Sequence, residues 1–209
     1  MSKIYYPSDL SLSFVFILFL MSINCESIWS SNNSSELSSK SISVANNYFA
    51  FNLLKELSDD NQNVLISPFS ITTVFNMLYF GAKDRTAEEI EDVFGLRLLN
   101  LTKEQIGVQY KQILNSFMAS DSSGFELSAA NGLVAQTRNP ILEEYSKQLS
   151  DYFNSSIQTV DFLFKSEEAV QQINQWVSQQ TRGKVEKLLD EPLSPLSVLV
   201  LLNAVYFKV

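Results

Sequence analysis

A nearly unbroken apolar run near residue 200 constrains the fold more than any other feature. It reads Ser197-Val-Leu-Val-Leu-Leu-Asn-Ala-Val-Tyr-Phe207. A run of this length without polar alternation favours a strand buried on both faces, because a strand with one wet face alternates polar and apolar residues. The sequence therefore predicts a sheet that other elements cover, with this run as one of its central strands.

Helical patterns occupy much of the remaining sequence. Apolar residues repeat at helical spacing from Ile42, and Ser67-Pro68 is typical of a helix start because Ser caps and Pro suits the first position. Two capping boxes, at Thr86 to Glu89 and at Thr102 to Gln105, predict two further starts. With strands expected near residues 125–136 and 157–162, the sequence predicts an α+β fold.

The N-terminal segment has the pattern of an export signal. An apolar run over residues 10–23 follows Lys3 and is shorter than the ~20 residues of a membrane span. We expect residues 1–25 to form a signal peptide, cleaved somewhere in residues 25–27, although an uncleaved signal anchor fits the same pattern. Residues 26–41 are Ser- and Asn-rich and predict a flexible linker, so residues 42–209 hold the folded part. The predicted product is secreted to the extracellular space, with no membrane association after signal cleavage.

Potential N-glycosylation sites agree with export. Asn32, Asn33, Asn100 and Asn154 each stand two residues before Ser or Thr. The same tripeptide also arises by chance in a chain rich in Asn and Ser. These four residues are therefore the predicted acceptors, without a preference among them.

The composition excludes several kinds of site. The sequence has no His and one Cys, which excludes a Ser-His-Asp triad, a His-ligated metal and an internal disulfide. A net charge of −8 disfavours nucleic acid and heparin as partners. Acidic pairs such as Glu88 and Glu89 are typical of a solvated helix face. We therefore expect no metal, no cofactor and no enzymatic activity.

Seven segments, in order along residues 42–208, resemble the serpin family. The segment around Trp176 is highly specific, and the match of all seven in register carries the resemblance. The segments are Ala45-Asn-Asn-Tyr-Phe-Ala-Phe-Asn-Leu53, Asn63-Val-Leu-Ile-Ser-Pro-Phe-Ser-Ile71, Gly81-Ala with Thr86-Ala-Glu-Glu-Ile90, Ala130-Asn-Gly-Leu133, Val160-Asp-Phe162, Ile173-Asn-Gln-Trp-Val177 with Thr181-Arg-Gly-Lys-Val185 and Leu188-Leu189, and Leu199-Val-Leu-Leu-Asn-Ala-Val-Tyr-Phe-Lys208.

The resemblance implies a suicide-substrate inhibitor of serine proteases. In that family a protease cleaves an exposed loop, which then inserts as a new strand into the main sheet. A polar cluster beneath the sheet controls the parting of its strands, and Ser67, Ser70 and Asn203 match three of its members. Simple helix capping is an equally supported role for Ser67. The helix from Ser166 to Thr181 is expected to lie across the sheet.

The sequence resembles only the N-terminal half of a serpin. It stops at Val209, before the residues that match the family's reactive loop and the His of its polar cluster, so the reactive centre is absent from this chain. We expect an incomplete serpin-like α+β fold, inactive by itself, from a secreted serine-protease inhibitor whose partner is a target serine protease. The alternative is a non-inhibitory serpin, such as a carrier, storage or chaperone protein.

Overall fold

The computed structural model of the chain describes residues 41–57, 64, 66–118, 126–183 and 185–208. The predicted signal peptide, and all but the last residue of the predicted linker, lie outside these residues. The described part forms helices and strands in this order: α1 Ile42–Leu57, α2 Pro68–Gly81, α3 Asp84–Val93, a 3-10 turn Leu96–Leu99, α4 Lys103–Met118, β1 Glu126–Gln136, α5 Glu143–Phe153, β2 Ser155–Val160, α6 Ser166–Gln180 and β3 Leu199–Lys208.

The described strands form one mixed sheet in the order β2-β1-β3. β1 is parallel to β2 and antiparallel to β3, and Asn131 of β1 is opposite both Ser155 and Asn203. The predicted apolar strand is β3, which starts at Leu199 instead of Ser197. It lies at an edge of the described sheet and not at its centre, because among the described strands only β1 pairs with it.

One face of the sheet packs against helices α1 to α5. Leu133 and Ala135 of β1 point into this main core, where Leu133 is fully buried. Three aromatic rings fill the middle: Phe153 lies 5.1 Å from Tyr110 and 5.3 Å from Phe80, centroid to centroid. Such tilted and edge-on ring pairs add to the apolar burial that holds helices on a sheet.

Helix α6 covers the other face, as the resemblance implies. Its residues Ile173, Trp176 and Val177 form a second buried cluster with Val134 of β1 and other sheet residues. The Trp176 ring sits so close to Gly132 that a Cβ there would lie 2.9 Å from the Trp176 Cζ2 atom. Gly132 therefore lets the indole approach the strand backbone. With helices on both faces of one mixed sheet, the α+β prediction is confirmed.

One predicted capping box is present and the other is wrong. At the start of α4, the backbone N–H of Gln105 donates to Thr102 Oγ1 at 3.2 Å, and the backbone N–H of Thr102 donates to Gln105 Oε1 at 2.9 Å. Helix α3 instead begins at Asp84, because the Ala87 amide already donates to the Lys83 carbonyl at 3.3 Å. Thr86 thus lies inside the first turn and cannot act as the cap.

Candidate functional site

A row of polar residues crosses the sheet at Asn131. The Asn203 side-chain amide donates to Asn131 Oδ1 at 2.8 Å, and Asn131 Nδ2 donates to the Phe153 carbonyl at the same distance. Asn131 is 2% exposed, and Asn203 is half-buried. The strand register places Ser155 on the other side of Asn131. We define Ser155, Asn131 and Asn203 as the polar row.

The position of Asn131 explains why the fold needs an amide there. Phe153 is the last residue of α5, and the final carbonyls of a helix lack partners within the helix. Asn131 supplies a donor to that carbonyl and an acceptor to Asn203, so one side chain ties β1 to both α5 and β3. An Asn inside an apolar strand requires a buried partner, and for Asn203 that partner is Asn131.

The predicted serines form a separate pair at the start of α2. The hydroxyls of Ser67 and Ser70 are 2.8 Å apart, with Ser67 exposed and Ser70 half-buried. Ser67 stands at the N-cap position of α2, but its side chain makes no capping hydrogen bond, and Pro68 takes the predicted first helical position. Helix α2 contacts β3, but within the described residues no hydrogen bond joins this pair to the polar row.

A second buried polar group lies inside the helical layer. Thr72 donates to Asn46 at 2.9 Å, and Asn76 Nδ2 donates to the Thr72 carbonyl at 2.8 Å and to the Tyr110 hydroxyl at 3.0 Å. Burial raises the pKa of Tyr110, so its hydroxyl stays neutral. In the described part of the chain Asn76 Oδ1 has no hydrogen-bond partner. The sequence analysis missed this group, although polar residues at apolar positions of α2 are its signal.

A side-chain clamp ends β1 and starts the connection to α6. Buried Gln136 accepts from the Phe162 amide at 3.3 Å, and Asp161 accepts from the Leu163 and Phe164 amides at 3.1 Å each. The Phe164 amide is the main cause that lowers the pKa of Asp161 below its ordinary value. The clamp fixes the direction in which the chain enters α6, the helix that carries Trp176.

Two of the predicted glycosylation residues are at helix ends. Asn100 follows the 3-10 turn and Asn154 follows α5, and both are exposed with φ of 48° and 49°. Asn tolerates this left-handed conformation better than most residues, which explains its presence at both ends. Asn32 and Asn33 lie outside the described residues. Glycosylation of all four stays a prediction.

The hydrogen bonds of the polar row are those of a structural site, because they join β1 to β3 and to the end of α5. Across residues 41–208, apart from the gaps, no three His, Cys, Asp or Glu side chains are grouped as metal ligands. None of the helices in those ranges has the length and apolar content needed to cross a bilayer. What the polar row does is hold two strands and a helix end together.

Comparison with known proteins identifies the class. The family described as "Serpin (serine protease inhibitor)" matches residues 44–209. Iripin-8 of Ixodes ricinus is 41% identical over 166 residues, which cover 78% of this chain and 41% of that protein. Intracellular coagulation inhibitor 2 of Tachypleus tridentatus is 35% identical over 184 residues, covering 88% of this chain and 45% of that protein.

A solved structure agrees with the sequence matches. Human thyroxine-binding globulin superposes with a TM-score of 0.69 at 29% identity, over 80% of this chain and 45% of that protein. The chain therefore belongs to the serpin family, and it spans less than half the length of these relatives.

The same relatives correct the predicted location. The Tachypleus protein is named an intracellular inhibitor, which contradicts the prediction of a secreted, extracellular protein. That prediction is wrong. It depended on the apolar run at residues 10–23, and an apolar N-terminal pattern alone does not establish export.

Proposed function

We propose that this sequence supplies the sheet-forming half of a serpin that inhibits serine proteases by the suicide-substrate mechanism. Membership of the serpin family and the relative named as a coagulation inhibitor support the proposal. The protein acts as an inhibitor and not as an enzyme, since its target protease performs the bond cleavage. Ser67, Ser70 and Asn203 belong to the polar cluster that controls the sheet, and Asn131 joins them as a fourth member.

The single observation that carries the proposal is the placement of β3. It is a ten-residue strand at the edge of the described sheet, with β1 already paired on both sides. A new strand can therefore join β3 without breaking a ladder among the described strands, which is how an edge strand accepts an added segment. The polar row holds β3 to β1 and α5, while the outer edge of β3 accepts the new strand.

The 209-residue polypeptide by itself does not trap a protease under this proposal. The mechanism needs a reactive loop, and no segment of the 209 residues resembles one. A chimera supplies the loop: residues 42–209 replace the matching segment of the Tachypleus inhibitor. The intact Tachypleus protein is the positive control, and the 209-residue polypeptide is the negative control.

We expect the chimera to form a covalent complex with a serine protease that the intact Tachypleus protein inhibits. The complex is an ester between the protease serine Oγ and the carbonyl carbon of the cleaved loop bond, so it survives boiling in detergent. Gel electrophoresis with mass spectrometry measures it. If the protease cuts the chimera at the loop and is released, the described sheet does not trap proteases and the proposal fails.

The alternative is a carrier that does not inhibit. The match to thyroxine-binding globulin, whose structure holds thyroxine, favours a serpin that binds a small hydrophobic molecule. In that case the chimera is cleaved without forming a complex. The gel assay thus distinguishes the two functions.

A further inference from the structure

We propose that Asn131 is a site of spontaneous deamidation that the closed sheet protects. Asn131-Gly132 is the single Asn-Gly pair among the 209 residues. Glycine after asparagine favours this reaction, because the absent Cβ lets the glycine nitrogen reach the asparagine side chain. The proposal depends on the closed sheet alone and not on protease inhibition.

The reaction needs only water as co-reactant. The Gly132 backbone nitrogen attacks Cγ of Asn131, so a new N–C bond forms and the Cγ–Nδ2 bond breaks. The proton that the Gly132 amide loses leaves on Nδ2 as ammonia, and the product is a five-membered succinimide. Water then opens the ring at one of its two carbonyls, giving aspartate or isoaspartate at position 131.

The closed sheet blocks the reaction in three ways. Gly132 lies in the middle strand, paired with Ser156 on one side and Leu202 on the other, and the extended backbone keeps its nitrogen away from Cγ. The Asn131 side chain is held at both ends by Phe153 and Asn203. At 2% exposure, water does not reach it. Attack therefore requires β1 to leave its ladders.

The product prevents the polar row from closing again as before. Aspartate places a carboxylate oxygen where Nδ2 donated to the Phe153 carbonyl, so two acceptors face each other at a buried site. Isoaspartate adds a main-chain atom and disturbs the pairing of Asn131 with Asn203. Deamidation at position 131 therefore accumulates irreversibly as the sheet opens. Each modified molecule has a weaker polar row than the unmodified protein.

The test compares the 209-residue polypeptide in native buffer, the same polypeptide in urea, and a synthetic peptide of residues 126–136. Peptide mapping by mass spectrometry measures aspartate and isoaspartate at position 131 over time. We expect deamidation in native buffer to be at least about tenfold slower than in urea or in the peptide, since only the locally open fraction reacts. Equal rates in native buffer and in the peptide would overturn the proposal.

Two variants test whether the polar row protects Asn131. Asn203→Leu removes the donor to Asn131 and should raise the native rate several-fold while leaving the rate in urea unchanged. Ile90→Ala is the matched control, because Ile90 is buried in α3 on the helical side of the main core. The two variants are compared at urea concentrations that give equal unfolded fractions. If the Asn203→Leu variant then deamidates at position 131 no faster than the Ile90→Ala variant, the polar row does not protect Asn131 and the proposal is wrong.

Discussion

Replacing Asn131 with Leu should destabilise the described fold more than any other change in the polar row. The variant leaves the Phe153 carbonyl without its donor and Asn203 Nδ2 without its acceptor. Each buried polar group left unpaired costs about 1–3 kcal/mol, and Asn203 is only half-buried, so we expect the free energy of unfolding to fall by roughly 2–4 kcal/mol. Urea unfolding of the 209-residue polypeptide, followed by circular dichroism, measures the loss.

Two control variants separate this effect from a general loss of polarity. Asn203→Leu should cost less, because Asn203 is half-buried and Asn131 keeps its bond to Phe153. Ser67→Ala should cost less still, since Ser67 is exposed and its partner Ser70 is reached by water. An Asn131→Leu variant that unfolds at the wild-type urea concentration would show that the polar row does not hold the sheet.

Trp176→Ala should detach helix α6 from the sheet. Trp176 is 7% exposed and lies in the cluster that joins α6 to β1 and β3, directly over Gly132. Truncating a buried Trp to Ala costs about 3–5 kcal/mol, because the apolar contacts are lost and a cavity remains. Compared with the wild-type protein, the variant should show faster amide hydrogen exchange in α6 and β1, and little change in α4.

Phe164→Ala is the matched control for Trp176→Ala. Phe164 is also aromatic and lies just before α6, but it is 67% exposed, and the Arg138 guanidinium carbon lies 4.8 Å from its ring centroid. An exposed cation–π contact contributes about 0.5–1 kcal/mol, so the loss should be small. Equal destabilisation by the two changes would mean that the Trp176 contact does not fasten α6.

Local signals in the sequence predicted several elements well. The apolar run gave β3, the Thr102 box gave the start of α4, and Ser67-Pro68 gave the start of α2. In each case the deciding residues are neighbours in sequence, so their spacing carries the information. The Thr86 box failed because a helix can start one turn earlier, at Asp84, without a capping side chain.

The polar row could be predicted only in part. Asn203 was recognisable as a polar residue inside an apolar strand, but its partner is 72 residues away along the chain. Only the antiparallel register of β1 and β3 brings Asn131 opposite Asn203, and a sequence pattern does not specify a register between distant strands. Ser67 and Ser70 were predicted as members of the same cluster from the family resemblance, and in the structure their hydroxyls contact each other.

The most direct measurement of the central claim uses the chimera with the Tachypleus inhibitor. Its thermal unfolding midpoint is measured before and after a protease cuts the reactive loop, with a chimera carrying charged residues in the loop hinge as the control. If β3 accepts the cut loop as a new strand, added ladder bonds and apolar burial should raise the midpoint by several degrees or more, and the control should not change. An unchanged or lower midpoint after cleavage would contradict the account.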